Sequence, residues 1–258
     1  MIHASLRIAY TLLAELEKTL GRNAAIPTGA SVPLALSAQI QAAANLDELA
    51  ALRMALEGSS RLGLLDEEAI SGAYRLIEEG CWKLYSTQSE SVAGEKGLEL
   101  QRSFPLHALQ RSINQGTECM LLIDGHNVLF RLRGVLQLEF EENIPGPRAR
   151  RQLTEYVSEL SRRNQNLDIH LWFDGDDAQD ISVADNLIVH YSGGAGSDRA
   201  DGQIVKYLDA TKYMTAKLKN QLKLLVTADR RFAEEARSKG VVILAPEELA
   251  ILVTSPTA

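Results

Sequence analysis

The sequence predicts a mixed α/β protein, with a small all-helical N-terminal domain joined by a polar linker to a doubly wound parallel sheet. Three observations predict it. Apolar residues recur at helical spacing over residues 1 to 86. Residues 87 to 117 open on TQSESVAGEKGLELQRS, which is polar, Ser- and Gly-rich and without period, the composition of a linker. From Glu118 to the end, short β-prone apolar runs alternate with helical stretches, as strands do when helices cover both faces of their sheet.

In chain order, Ile2, Leu6, Ala9, Leu13, Leu16 and Leu20 share one helical face, with Gly21 placed just past its end. TGASVP, preceded by Pro27, is a turn-rich connector. Asn45 and Glu48 have the spacing of an N-terminal cap for a helix whose face is Leu49, Leu52 and Leu56, ending near Gly58. Ile70, Ala73, Ile77, Cys81 and Leu84 mark the next helix, and a short one is expected at Leu106 to Ile113. The strands expected in the second half are Cys119 to Ile123, Asp168 to Phe173, Leu187 to Tyr191, Leu222 to Val226 and Val241 to Leu244. Helices are expected at Arg148 to Arg163, Asp198 to Leu218 and Arg231 to Lys239.

Composition narrows the function classes. No apolar run reaches the roughly 20 residues of a membrane helix, and the N-terminus lacks a signal-peptide pattern. Cys81 and Cys119 lie in separate apolar segments and read as buried thiols. A cytoplasmic protein with no membrane partner is expected. The net charge of -7 argues against a protein that coats nucleic acid. It is compatible with an enzyme whose carboxylates hold a cation. His3 stands alone, and the helical half carries no catalytic constellation.

The chemistry lies at one edge of the expected sheet. Ligands of open parallel sheets bind beyond the carboxyl ends of the strands. Asp124 directly follows the first strand, Asp174 the second, and Asp229 comes shortly after the fourth. Asp198 and Asp201 open the helix after the third. An aspartate after a strand is commonly a turn former or helix cap. Asp198 suits capping best but stands with the others as a candidate metal ligand, while Asp176, Asp177 and Asp180 read as loop acids. Four or five carboxylates delivered to one rim repel one another, and a divalent cation relieves that repulsion. Without zinc-type Cys/His spacing, Mg²⁺ or Mn²⁺ is the expected ion, one or two of them. Two ions roughly 4 Å apart can clamp the attacking and leaving oxygens of a phosphodiester.

LLIDGHNVLF, LWFDG, YSGGAGSDRADGQIVKYL and LLVTADRRFAEEARSKGVVILAPEEL, in this order, resemble the NYN branch of the PIN-like nucleases, particularly its YacP-like members, over about residues 118 to 250. DGHN resembles the family's Asp-Gly-x-Asn motif. Ala200, Asp201 and Ile204 resemble its third acidic motif, and Thr227 with Asp229 its last. The resemblance implies a PIN-like fold for residues 118–258 and a metal-dependent endoribonuclease, some relatives acting on RNA at ribosomes. It implies Asp124, Asp201 and Asp229 as metal ligands and catalytic acids, with Asp174 as a fourth. Asn127 would hold the first carboxylate or contact a phosphate, and Thr227 likewise. His126 stands where the family usually has an aromatic residue; packing, surface and phosphate-side roles are all open for it.

Arginines flank the expected rim. Arg148, Arg150 and Arg151 open a helix after Gly146 and Pro147, and Arg199, Arg230 and Arg231 open two others. Arg148, Arg151, Arg199 and Arg230 are candidate phosphate contacts, because guanidinium groups bind phosphate in a bidentate manner. Arg162 and Arg163 lie at the far end of their helix. The SGGAGSD loop can approach an anion with backbone N–H groups, but no Gly-Lys-Ser/Thr follows it. Aromatics are 5% and do not interleave with basic residues, so a stacking platform is not expected. An aspartyl-phosphate phosphatase is disfavoured, since His126 occupies the place of its second acid. A nucleoside-binding Rossmann site lacks its GxGxxG turn. The alternative to the nuclease is a non-catalytic RNA- or ribosome-binding module. The domain at 1–86 is expected to bind a protein partner or form a homodimer.

Overall fold

A computed structural model describes residues 34–61, 65–87, 103–175, 177–194, 199–211 and 221–254. The expectations for Ile2 to Leu20, Gly21, TGASVP and His3 lie outside the described residues. So do residues 88–102 of the linker, Asp176, Asp198, the rest of the SGGAGSD loop from position 195, and positions 212–218 of the expected third helix. The chain divides into two compact units, Met1–Gly94 and Glu95–Ala258.

The first unit contains α1 (Leu34–Ala42), α2 (Leu46–Arg61) and α3 (Glu67–Thr87), with α3 packed on both others. The cap expected at Asn45 is present: its Oδ1 accepts the Glu48 N–H at 3.0 Å, and the Glu48 carboxylate accepts from Asn45 Nδ2 at 2.9 Å and Ala44 N–H at 2.8 Å. Asp66 caps α3 through the Ala69 N–H at 2.7 Å. Leu49, Leu52 and Leu56 meet Ile70, Ala73, Ile77 and Cys81 in the core, as the helical spacing predicts. Arg53 is buried among them, paired with Glu57 at 2.7 Å and lying over the Tyr74 ring.

The second unit begins with α4 (Pro105–Asn114), close to the expected short helix and inside the stretch 87–117. Its buried face rests on the strands β1 (Cys119–Asp124) and β6 (Val242–Leu244). The remaining elements are α5 (Gly125–Leu132), α6 (Pro147–Arg163), β2 (Leu167–Phe173), β3 (Ala178–Ala184), β4 (Leu187–Ser192), α7 (Arg199–Thr211), β5 (Leu222–Val226), α8 (Arg230–Ser238) and α9 (Pro246–Thr254). The six strands form one sheet in the order β3-β4-β2-β1-β5-β6, and only the β3–β4 pair is antiparallel.

β1 is central and buried at all six positions, which is why its sequence is a continuous apolar run. Alternate residues face opposite sides. Met120, Leu122, Trp172 and Leu225 pack with Ala200, Ile204 and Leu208 of α7 and Phe232 and Ala236 of α8. Helices α5, α6 and α9 pack on one another and on the opposite face. The chain winds from β1 towards β2 and β4 and then crosses back to β5, so the winding direction reverses beside the carboxyl end of β1.

Four elements have no counterpart in the sequence expectation: β3, α5, α9 and, in the first unit, the nine-residue α1, too short to show a clear apolar stripe. β3 is an edge strand exposed at six of its seven positions, so it carries no buried apolar run. α5 spans two turns and starts at a glycine, too short for periodicity to register. α9 is buried on nearly every side and therefore shows no amphipathic stripe. Gly125 begins α5 directly under the end of β2. A Cβ there would lie 2.5 Å from the Trp172 carbonyl oxygen and 2.5 Å from the Phe173 ring, so only glycine fits.

Candidate active site

Asp124 closes β1 and caps α5. Its Oδ1 accepts the Asn127 N–H at 3.2 Å, and its Oδ2 accepts the Thr227 hydroxyl at 2.9 Å. The carboxyl is 3% exposed. Thr227 in turn accepts the Asp229 N–H at 3.1 Å. One hydroxyl thus joins the carboxylate after β1 to the backbone after β5. Asp229 caps α8 by accepting the Phe232 N–H at 2.8 Å. Asn127 ties the same two loops, its Oδ1 accepting the Ala228 N–H at 3.2 Å.

Asp174 follows β2. Its Oδ1 accepts the Ala200 N–H at the start of α7 at 3.0 Å and the Ser192 hydroxyl at 3.3 Å. Its own N–H donates to Nδ1 of His126 at 3.3 Å. Asp201 stands in the first turn of α7, one residue beyond Ala200. The segments after β1, β2 and β5 and the start of α7 therefore meet at one edge, as the parallel topology requires.

Burial pushes the Asp124 carboxyl up to about 6, and the neighbouring charges of Asp174 and Asp229 push in the same direction. The Asn127 N–H and Thr227 hydroxyl oppose the rise. Burial lowers the His126 imidazole below its usual value, as do Arg150 and Arg199, while Asp174 opposes them. The oxygen donors fit a hard cation such as Mg²⁺ or Mn²⁺ in chemical type. Oδ2 of Asp174 and Oδ2 of Asp229 accept no hydrogen bond among the described residues. The Oδ1 atoms are turned to helix-end amides, and among the described residues no three His, Cys, Asp or Glu side chains already form a metal cage.

Asn127 and Thr227 brace the rim rather than standing apart from it. Arg148 is exposed and pairs with Glu139 at 3.4 Å, and Arg230 pairs with Glu234 at 3.0 Å. Arg199 donates through Nη1 to the Gly193 carbonyl. Arg151 lines a cavity of about 270 Å³ with Arg150, Thr154 and Tyr191, between α6 and the β3–β4 hairpin. Asp177 is exposed.

A second cluster escaped the sequence reading. On the α7 side of the sheet, Asp180 accepts from His190 Nδ1 at 2.7 Å, and His190 Nε2 lies 2.9 Å from His170 Nδ1. The Tyr207 hydroxyl lies 2.9 Å from His170 Nε2, and Trp172 stacks on His190 at 4.3 Å. With neutral imidazoles the protons run one way, from Tyr207 through both rings to Asp180. The cluster holds β4 against α7, the two elements whose Ser192 and Ala200 support Asp174. Alternating His170 and His190 on two strands were the available signal. Recognising it required knowing that β2 pairs with β4.

Compared with known proteins, the chain matches no family model, no curated protein and no solved structure. Among the described residues no helix is long and apolar enough to cross a membrane.

Proposed function

We propose that the second unit is a divalent-metal-dependent endoribonuclease of the PIN-like type, hydrolysing RNA phosphodiester bonds at the rim formed by Asp124, Asp174, Asp201 and Asp229. The observation that carries this reading is the buried Asp124 carboxylate, coupled through one Thr227 hydroxyl to the Asp229 loop with Asp174 beside it. A fold does not bury and cluster carboxylates cheaply, and a site for cations is the simplest reason to keep them. Asp124, Asp174 and Asp229, with Asp201, would hold Mg²⁺ or Mn²⁺. The ion would make water nucleophilic at neutral pH and offset charge on the phosphate. Thr227 and Asn127 fix the rotamer of Asp124, and Ser192 and the Ala200 amide fix Asp174.

The three carboxylates each cap a helix, and this favours a second reading, a non-catalytic module that binds RNA or the ribosome. The N-terminal helices would place either kind of protein on a partner or form a dimer, and a cytoplasmic setting suits both. Incubating the full chain with total RNA and with ribosomes, in Mn²⁺ or in EDTA, and mapping fragment ends separates them. Metal-dependent cleavage lost in Asp124→Asn supports the nuclease. Binding without cleavage supports the module.

A further inference from the structure

We infer that His126 and Arg150 form the subsite that holds a backbone phosphate of single-stranded RNA beside the acidic rim. This deepens the nuclease reading and rests on it. The Asp174 amide is a donor in every protonation state, so His126 Nδ1 must accept its proton. The neutral ring then carries its one proton on Nε2, and Nε2 has no partner among the described residues. His126 is thus fixed as a hydrogen-bond donor held against the loop of a rim carboxylate.

Arg150 supplies the charge. Its Nε is buried and without a hydrogen-bond partner. The Arg150 side chain makes no ion pair or hydrogen bond among the described residues, so an anion in the cavity it lines can accept from its Nη groups. Arg148, Arg162 and Arg230, by contrast, each pair with a glutamate. Arg150 and Arg199 lie close enough to His126 for their charges to act on its ring. The same Arg150 lines the 270 Å³ cavity with Arg151 and Tyr191. Tyr191 also reaches back to Gly175, next to Asp174, where a Cβ would meet its ring at 3.0 Å. A strand whose phosphate sits on His126 and Arg150 would continue into this cavity, where Arg151, Tyr191 and the exposed Ile181 and Val183 meet the adjoining nucleotide.

The test uses the full chain and a fluorescent oligoribonucleotide of mixed sequence, with cleavage followed in Mn²⁺ and binding followed by anisotropy in Ca²⁺. Arg150→Gln should raise KM and Kd about tenfold, leave kcat within about threefold, and reduce the salt dependence of binding by about 0.7 in log–log slope, one phosphate contact on a single strand. His126→Asn keeps an acceptor for the Asp174 amide but loses the Nε2 donor, and should raise KM by roughly threefold to tenfold. Arg162→Gln, at the far end of α6, should match the parent. Melting temperatures of all variants check folding. If the parent cleaves and the Arg150 and His126 variants keep its KM, Kd and salt slope, the subsite is wrong and the nuclease reading survives. If the parent binds without cleaving and the same variants lose affinity, the nuclease reading fails while the phosphate site stands. A parent that neither binds nor cleaves overturns both.

Discussion

Replacing Asp124 with Asn separates the charge of this residue from its shape. In the folded chain the carboxyl is raised from 3.8 to about 6, so ionising it without a cation costs about 3 kcal/mol at 1.36 kcal/mol per pH unit. Because the folded-state value is the higher one, the folded chain holds the proton more tightly than the unfolded chain. The stabilisation is complete below pH 3.8 and lost as pH rises through about 6. Asparagine carries no charge to bury. Its carbonyl can still accept the Asn127 N–H, but its amide meets the Thr227 hydroxyl, which must turn its proton away at a cost of about 1 kcal/mol. The balance is a gain of about 2 kcal/mol at pH 7.5 in EDTA, roughly 4–8 °C in the melting temperature of a domain this size. Calorimetry of parent and variant in EDTA and in Mn²⁺ measures it. In Mn²⁺ the order should invert, since saturating ion at a hundredfold its Kd stabilises the parent by about 2.7 kcal/mol and does little for the variant. A variant that melts below the parent in EDTA at pH 7.5, or that gains as much from Mn²⁺, refutes the reasoning.

Thr227→Val removes the hydroxyl between Asp124 Oδ2 and the Asp229 N–H and should cost about 2–3 kcal/mol in urea unfolding, while Thr227→Ser stays within about 1 kcal/mol. Equal losses would mean that the methyl group, not the hydroxyl, holds the rim. His107 on α4 is lowered to about 4, first by burial and then by Arg111. The folded chain therefore resists its protonation, and stability present above pH 6.5 falls towards pH 4 by about 3 kcal/mol. Urea midpoints at pH 7 and pH 4.5 should drop less in His107→Gln than in the parent. Cleavage products should end in 5′-phosphate and 3′-hydroxyl groups and require metal; 2′,3′-cyclic phosphate formed in EDTA, seen by end-labelling, would contradict a metal-activated water. Asp177→Asn should leave cleavage within about twofold of the parent in the same assay, and a loss as large as that of Asp124→Asn would show that the acids were chosen wrongly.

Asp124, Asp174 and Asp229 were legible because apolar strands separated by helices force one direction on the sheet, and direction alone sends the residue after each strand to a common edge. Thr227 was legible as part of a motif, but its two-way bond was not, since that depends on β5 lying beside β1. The strand Ala178–Ala184 was hidden by its exposure. It is an edge strand because β4 offers a partner, and nothing in AQDISVA demands one. Arg148 and Arg150 read alike in sequence. They diverge because Glu139 meets the first, while the second turns a buried Nε towards no partner. His126 could be assigned a tautomer only once the Asp174 amide was known to lie against it.

The contact at Gly125 has a mechanical meaning. The first turn of α5 lies on the carbonyl of Trp172 with no room for a methyl group, so the ends of β1 and β2 are stacked like shims of set thickness. Asp124 stands on the residue before that contact, and Asp174 stands two residues beyond the same carbonyl. The gap between the first two acids is therefore gauged by main chain against main chain. Exchanging either aspartate alters what fills the gap and leaves its width untouched. The tolerance of the rim is that of the sheet itself, and position 125 is where a single added carbon would throw it out of true.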